Sequence, residues 1–540
     1  NRLAWILSTF ASFLTMIFSI LLCFEVSNHS NISYYLGNWP PPLGIEYVID
    51  KASIIPIMIV SVIGFIATLY AHNFFILEID KNLVSKTYSL WLLTIAGLMG
   101  LITTADAFNL FVFLEISSLS AVALVALGSK MDRKALIAGY NYLILGAVGA
   151  TFYVIGVGLL YGVTGTLNMS DLAQKIPALG LNKSVIVAFT FMMLGIMVKA
   201  AVFPLHIWLP NAYAYAPSPV SVLLAATATK VSIYILVRIS YTIFGPSYEI
   251  YTFESLRYVL LYLAILAMFA GTIMAIFEKD VKKLLAHSSV AQIGYIILGI
   301  SLATSPGIAS SFIHLINHAL IKAGLFMSVV AMGYYTLKRI DVVTIAGLGR
   351  RLPITFFAFV ICALSLAGLP LTVGFISKLY LIKAAYMSEG IWLPFLILVS
   401  SALSLIYIWK LIEGLWYNQK KSNSEKIKEL PETKGKLDLL NYEFLHKRNM
   451  LFGTPEYVID KIHELKSELN LQNLQVWSNF PGIKHEDCMK RFLIRFWKNT
   501  NIFHNISFKV YQIFVWRAHI MLPHIIRCWI SIKFTFMIKK

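Results

Sequence analysis

Ionisable side chains interrupt several long apolar stretches of this sequence. They are Glu115, Lys199, Lys230, His314, His318, Lys322 and Lys378. A charged group at the centre of a lipid bilayer costs about 2.5–3.5 kcal/mol, so it needs a partner or a hydrated cavity. Groups that can each hold or release a proton can also pass it along without redox chemistry. We therefore predict a proton relay through Glu115, Lys199, Lys230, His318 and Lys378, with His206, His314 and Lys322 as auxiliary members.

The first step of the predicted relay depends on one carboxylate and two lysines. Burial disfavours the charged form of a lysine, whereas a nearby carboxylate favours it. If Glu115 approaches Lys199, the lysine keeps its proton; if the pair separates, the proton passes on to Lys230. Such a passage needs water between the groups.

Each of these residues also has a structural interpretation. Glu115 could clamp one pair of helices, and a lysine near the end of a span, such as Lys383, could extend to the membrane surface. His314 and His318 have the i, i+4 spacing of a metal pair, but no third ligand is evident, so we predict no metal site. His314 could also be a hydrogen-bonded core residue. His206 lies between predicted half-helices, where a structural and a functional role are equally compatible with the sequence.

The elements that carry these residues are membrane spans. Hydrophobic residues make up 58% of the chain and charged residues 13%, against about 45–50% and 25% in globular domains. Backbone amides in lipid must be satisfied within a helix, so we predict an all-α polytopic membrane protein. Thirteen candidate spans cover residues 3–24, 51–71, 88–105, 106–127, 134–163, 184–204, 217–243, 256–277, 286–305, 311–335, 353–370, 371–388 and 391–413.

Two of the predicted spans contain helix-breaking residues. Pro204, Pro210, Pro217 and Pro219 follow Lys199, and Gly368, Pro370 and Gly374 precede Lys378. Proline removes a backbone donor and blocks helix continuation, which predicts half-helices at both places. A long helix followed by a short amphipathic segment in both 134–176 and 311–348 indicates two repeated halves. Broken helices at matching places in two halves are typical of a midplane ion site.

The loops and the C-terminal part indicate orientation and partners. Basic loops at 81–86, 130–134, 279–283 and 338–351 predict the cytoplasmic side. An odd number of spans then places the basic tail outside, against the charge rule, and the sequence leaves two explanations open: a miscounted span or a topology set by the family. The net charge of +18 favours contact with anionic lipid over nucleic acid. No nucleotide, haem or iron–sulfur motif occurs, so we expect no cofactor, and an ion gradient or partner subunits must supply energy.

Six motifs in a fixed order carry a family resemblance. They are ADAFNLFVFLE (105–115), YGVTGTLN (161–168), VKAAVFPLHIWLP (198–210), LLAHSSVAQIG (284–294), NHALIKAG (317–324) and GLPLTVGFISK (368–378). Residues 1–413 therefore resemble the antiporter-like subunits shared by Mrp-type cation/proton antiporters and respiratory complex I. The segment GNWPPPLG (37–44) followed by Asp50 is most similar to the D-subunit branch of the Mrp assembly.

The resemblance implies a fourteen-helix subunit with two inverted five-helix repeats, each holding a half-channel and a broken helix. The family's glutamate falls on Glu115, its paired lysine on Lys199 and its central lysine on Lys230. The histidine of the second half falls on His318 and the terminal lysine on Lys378. Thirteen spans plus one before the first residue match fourteen and place both termini outside, which favours the family explanation for the tail.

Three positions depart from the family pattern. Asn211 and Tyr213 stand where the family often has Asp and His. Gln292 stands where some complex I subunits have His, which again favours the Mrp branch.

We divide the residues beyond the spans into three segments. Residues 414–451 form a polar linker, and residues 452–490 resemble a C-terminal fragment of luciferase-like flavin monooxygenases. Residues 491–540 form a basic aromatic segment suited to the membrane interface. About 40 residues cannot form that enzyme family's barrel, so we read 452–490 as a remnant without flavin.

The sequence thus predicts a Na⁺(K⁺)/H⁺ antiporter subunit in the cell membrane of a bacterium, which works with other subunits, protons and monovalent cations. The open alternatives are a proton-pumping subunit of NADH:quinone oxidoreductase, a scaffold subunit with degenerate channels, and a membrane-anchored monooxygenase.

Overall fold

The computed structural model describes residues 2–28, 31–180, 182–245, 254–336, 341–342, 344–417, 471–473 and 537–538. The chain divides into two units, Asn1–Lys420 and Lys421–Lys540. The predicted polar linker beyond residue 417, the monooxygenase-like fragment and the basic aromatic segment lie outside the described residues, apart from two short paired strands, Leu471–Asn473 and Met537–Ile538. Those three interpretations stay predictions.

Ten segments within the described residues are long and apolar enough to cross a membrane. Nine contain one long helix each: α1 (Arg2–Asn28), α2 (Ile54–Glu78), α3 (Val84–Thr103), α4 (Ala107–Ala126), α5 (Lys134–Thr164), α11 (Glu254–Phe277), α12 (Val281–Ser301), α13 (Ser305–Thr336) and α17 (Trp392–Trp416). The tenth joins α9 (Ser218–Ala226), α10 (Ala228–Arg238) and a π-helical turn, Ile239–Ile243. The architecture is the predicted all-α membrane type.

The predicted count of thirteen spans is not confirmed. The three remaining predicted spans fall on α7 (Lys183–Lys199), α15 (Pro353–Ala367) and α16 (Val373–Glu389), which have 17, 15 and 17 residues. A straight crossing takes about 20 residues. Each of the three ends or begins at a break, so interrupted helices explain why they are short.

Two helix breaks occur where the prolines and glycines predict them. After α7 the chain passes through residues 200–207 to the short helix α8 (Trp208–Tyr215). Between α15 and α16, Gly368 ends the first helix with a φ of +84°, a conformation that glycine adopts without steric cost. The side chain of Thr372 then caps α16 by accepting a hydrogen bond from the backbone amide of Phe375. The sequence therefore encodes both the end of α15, at Gly368, and the start of α16, at Thr372.

The order of elements in the first half recurs in the second. The long helix α5 has 31 residues and is followed by the short helix α6 (Met169–Lys175). The long helix α13 has 32 residues and is followed by the short helix α14 (Leu348–Arg351). A broken helix comes next in both cases. This is the repeated pattern that the sequence predicts.

The predicted basic loops meet at one end of the helix bundle. Lys130 Nζ donates to the carbonyl oxygen of Ile79, just before the loop 81–86, at 2.9 Å, and the backbone amide of Val342 donates to the carbonyl oxygen of Lys279 at 3.0 Å. At the opposite end lies an antiparallel hairpin of β1 (Ile32–Tyr35) and β2 (Glu46–Ile49), whose Glu46 carbonyl accepts from the backbone amide of Ala105 at 2.9 Å.

The centre of the bundle is formed by α9, α10 and α12. The segments Ser218–Ile243 and Val281–Ser301 are each 94% buried within the protein, whereas α1 is only 17% buried. Residues on α10 and α12 therefore face other helices and not lipid.

Candidate functional site

The predicted relay lysines are enclosed by protein. Lys230 and Lys322 have no exposed surface, and Lys378 and Lys199 are 3% and 8% exposed. An ammonium group that extends to the membrane surface would remain accessible. None of these four side chains therefore extends to the membrane surface.

In the first half, Lys199 ends α7 and contacts α4. Its Nζ donates a hydrogen bond of 2.6 Å to Ser118 Oγ. Glu115 lies three residues before Ser118, hence on the same face of α4, and it interacts with Lys199 electrostatically. No direct ion pair joins Glu115 to Lys199 in the part of the chain that the structure describes. The ammonium group is thus hydrogen-bonded to a neutral hydroxyl and not paired directly with the carboxylate.

A glycine on α5 makes room for this contact. A Cβ atom added at Gly146 would lie 3.1 Å from Ser118 Oγ and 3.3 Å from Lys199 Nζ. Both distances are tighter than ordinary van der Waals contact, so a larger residue would crowd the ammonium group and the hydroxyl.

At the centre, Lys230 binds the end of a helix. Thr227 separates α9 from α10 with φ and ψ of −119° and −56°. Lys230 Nζ donates to the carbonyl oxygen of Ala225 at 2.5 Å and to Thr229 Oγ1 at 3.3 Å. The last carbonyls of a helix lack backbone partners and carry partial negative charge, so they stabilise a cation.

In the second half, Lys378 repeats this arrangement. Its Nζ donates to the carbonyl oxygens of Leu366 and Ala367, at 3.2 and 2.8 Å, which are the last two residues before the break after α15. Ser401 Oγ on α17 accepts a third hydrogen bond at 2.9 Å. The Tyr295 ring centroid lies 4.7 Å from the ammonium nitrogen. The breaks after α9 and after α15 therefore each place helix-terminal carbonyl oxygens against one lysine.

The helix α13 presents two further ionisable residues beside these lysines. Lys322 Nζ donates to the Leu285 carbonyl at 2.7 Å and to Ser288 Oγ at 2.6 Å, both on α12. His318 is 1% exposed, and neither ring nitrogen has a hydrogen-bond partner within the described residues. Its ring lies parallel to that of His314, with centroids 6.4 Å apart.

His314 has partners on two other helices. Its Nδ1 atom lies 2.9 Å from Ser377 Oγ on α16, and its Nε2 atom lies 3.0 Å from Gln292 Oε1 on α12. It is therefore hydrogen-bonded, as the structural interpretation expects, yet its partner Ser377 is the residue next to Lys378.

The structure sorts the predicted residues into two groups. Lys230 interacts electrostatically with His314, His318 and Lys322, and Lys378 with His314, so α10, α13 and α16 share one charged centre. Glu115 and Lys199 form a separate group. Within the described residues, no hydrogen bond or ion pair joins the two groups.

His206 belongs to neither group. It lies in the connection between α7 and α8, is 6% exposed and stacks on Phe203 with ring centroids 5.2 Å apart. It interacts electrostatically with His287 of α12. Among the described residues, no set of three His, Cys, Asp or Glu side chains is placed to hold a metal ion.

Sequence reasoning misses the hydroxyl and amide groups that bind the relay residues. It does not identify Ser118 and Ser377, and it treats Gln292 only as a departure from a family pattern. Each serine lies within one helical turn of an intramembrane charge, at Glu115 and Lys378. That proximity is a signal that could have identified them.

Comparisons with known proteins agree with this architecture. Residues 104–404 match the family described as NADH:quinone oxidoreductase/Mrp antiporter, transmembrane region. The chain is 42% identical over 385 residues to the N subunit of NADH-quinone oxidoreductase from Desulforudis audaxviator, covering 71% of this chain and 75% of that protein. It is 30% identical over 428 residues to the D subunit of the Na⁺/H⁺ antiporter from Alkalihalophilus pseudofirmus, covering 79% and 84%. A chain of the Mrp complex from Dietzia sp. DQ12-45-1b superposes with a TM-score of 0.70 at 28% identity, covering 77% and 76%.

Proposed function

Because the chain belongs to the NADH:quinone oxidoreductase/Mrp antiporter transmembrane family, we propose that it is a proton- and cation-translocating membrane subunit of a multisubunit Na⁺(K⁺)/H⁺ antiporter. The chain is a multi-pass membrane protein of the cell membrane, and its relatives are subunits of multisubunit complexes. The observation that carries the proposal is the pair of buried lysines, Lys230 and Lys378, each held at the carbonyl end of a broken helix.

The relay begins at Glu115 and Lys199. When the carboxylate contacts the ammonium group, the proton stays on the lysine, because opposite charges favour the ionised form. When Lys199 instead bonds to Ser118, as it does here, a neutral hydroxyl replaces the carboxylate and the lysine releases its proton more easily. We call this arrangement, in which Lys199 bonds to Ser118 and no ion pair joins it to Glu115, the separated state of the pair.

The relay links Lys230 and Lys378 through α13. Lys230 exchanges its proton with His318, whose ring nitrogens have no protein hydrogen-bond partner within the described residues and are free to bond to a water molecule. His314 follows, because its ring faces that of His318 and its partner Ser377 adjoins Lys378. Water in this centre completes the path, since the centroids of the His318 and His314 rings are 6.4 Å apart and no direct hydrogen bond joins them within the described residues. Lys322 and His206 act as auxiliary groups on the side of the basic loops.

The partners follow from this role. Other subunits of the antiporter pack against lipid-exposed helices such as α1, and protons and monovalent cations are the transported species. The end that carries the basic loops faces the cytoplasm, because positively charged loops are retained there.

The second candidate is a proton-pumping subunit of an NADH:quinone oxidoreductase. It is favoured by the 42% identity to the N subunit of such an enzyme. The two candidates differ in what drives proton movement: a Na⁺ or K⁺ gradient in the first, and NADH oxidation in the second. The third candidate is a scaffold subunit that transports no ions. It requires that the buried charged residues only stabilise the packing of the helices.

The test uses the whole assembly, reconstituted in sealed vesicles that contain a fluorescent pH indicator. A Na⁺ gradient should change the internal pH, and NADH with a quinone should not. We expect Glu115→Ala and Lys199→Ala each to abolish the exchange with unchanged assembly, and Glu115→Asp to keep part of it, because the charge survives and only the reach is shorter. Exchange at the wild-type rate in both alanine variants would favour the scaffold interpretation. A pH change driven by NADH and quinone, without one driven by Na⁺, would favour the oxidoreductase.

A further inference from the structure

Three helices meet around the imidazole of His314. Gln292 of α12 faces its Nε2 atom through Oε1 at 3.0 Å, and Ser377 of α16 faces its Nδ1 atom through Oγ at 2.9 Å. His314, Gln292 and Ser377 are 2%, 1% and 0% exposed. The three side chains therefore form a buried, hydrogen-bonded Gln–His–Ser chain that ends at the residue before Lys378.

The carbonyl oxygen of the Gln292 side chain fixes which ring nitrogen carries the proton in neutral His314. An amide oxygen only accepts hydrogen bonds, so the Nε2 atom that faces it must donate. The neutral imidazole then has its lone pair on Nδ1. That lone pair accepts the hydrogen of the Ser377 hydroxyl and points toward α16.

Ser377 has a second acceptor ready for the protonated state. Its Oγ atom lies 3.1 Å from the carbonyl oxygen of Gly374, one turn earlier in α16. If Nδ1 gains a proton, it donates to Ser377 Oγ, and the hydroxyl turns its hydrogen to Gly374. Both states of His314 keep every hydrogen bond in this chain.

We propose that Gln292 and Ser377 are positioning residues that make His314 Nδ1 the proton-accepting atom on the Lys378 side of the relay. The inference rests on the proposed function and adds to it which ring nitrogen of His314 accepts the proton. The Lys378 ammonium releases a proton through a water molecule to Ser377 Oγ as the Ser377 hydrogen moves to Nδ1. One N–H bond at Lys378 breaks and one forms at His314, so charge and protons balance.

The charges around His314 limit when it accepts. Lys378 of α16, Lys230 of α10, His318 of α13 and the neutral Tyr295 phenol of α12 face the ring. The first three are cationic when protonated, and like charges disfavour a second proton nearby. His314 therefore accepts a proton only as Lys378 gives up its own and while Lys230 is neutral, which orders the steps of transfer.

The experiment measures the pH profile of Na⁺-driven exchange by the whole assembly in vesicles. Gln292→Leu removes the acceptor that fixes the tautomer, and Ser377→Ala removes the hydroxyl; we expect each to lower exchange about tenfold or more. Gln292→Glu places a carboxylate on Nε2, which favours the imidazolium, so the pH at which exchange is half-maximal should rise. A purely structural role would lower the rate without moving this pH.

The matched control is Ser311→Ala. Ser311 is a buried hydroxyl on α13, one helical turn before His314, but it donates to the Ile296 carbonyl of α12 at 2.8 Å and not to a relay residue. We expect nearly wild-type exchange and an unchanged pH profile. If Gln292→Leu and Ser377→Ala behave like this control, or Gln292→Glu leaves the pH profile in place, the positioning role is wrong. If the wild-type assembly itself shows no exchange, the proposed function fails instead.

Discussion

Replacing Ser118 by alanine tests the first step of the relay. The substitution removes the hydroxyl that accepts from Lys199 Nζ at 2.6 Å. It leaves Glu115 in place as the alternative partner, since the carboxylate lies one turn earlier on the same face of α4. We expect Lys199 to move to Glu115 and to remain there.

The size of this effect follows from the lost hydrogen bond. A hydrogen bond to a charged group contributes about 1.5–3 kcal/mol. Each 1.4 kcal/mol changes an equilibrium tenfold, so the separated state should become about 10- to 150-fold less populated. If exchange requires that state, its rate should fall by a similar factor, while the amount of assembled complex stays the same.

The assay is the initial rate of Na⁺-driven pH change in vesicles, normalised to the assembled complex. Ser117→Ala is the matched control, because Ser117 is also buried on α4 but donates only to the Leu114 carbonyl of its own helix at 3.1 Å. A wild-type rate for Ser118→Ala, or equal loss in both serine variants, would refute the idea that the serine holds the separated state.

Two further predictions concern the surroundings of the relay. Gly146→Ala should slow exchange at least several-fold, because the new methyl group would crowd the ammonium–hydroxyl contact, and Gly158→Ala on the same helix, where a Cβ meets open space, should not. Asp50→Asn should destabilise the assembly by about 1–3 kcal/mol in thermal unfolding, because Arg238 loses a 2.6 Å ion pair whose side chains are only 17% and 14% exposed. Asp171→Asn, which breaks a more exposed ion pair, should leave the melting temperature unchanged; equal effects at both sites would contradict the importance of burial.

The sequence predicts the helices well because lipid leaves the backbone few choices. Every apolar window corresponds to a helix, and the breaks near Lys199 and Lys378 occur at the predicted prolines and glycines. The number of spans is less predictable, because a hydropathy window does not show that α15 and α16 stop short of a full crossing. Where a broken helix ends depends on local capping, as with Thr372, and on tertiary packing.

The sequence predicts the charged residues of the site but not the groups that form hydrogen bonds with them. Charged residues are rare in membrane spans because each has a large desolvation cost, so the few that occur in apolar windows are easy to recognise in the sequence. The groups that bind them are a backbone carbonyl, a hydroxyl and a side-chain amide, at Ala225, Ser118 and Gln292. Such neutral groups have a small desolvation cost and are common in apolar helices, so the sequence does not single them out. Which of them meets a given lysine depends on packing between helices far apart in the sequence.

The most direct test of a conducting role for the buried charges is the Na⁺-driven pH change of the assembly that carries Lys230→Ala. Lys230 is completely buried and stands between α9 and the histidines of α13. We expect no pH change above that of empty vesicles, with normal amounts of assembled complex. Exchange at the wild-type rate would show that these side chains support the fold without carrying protons.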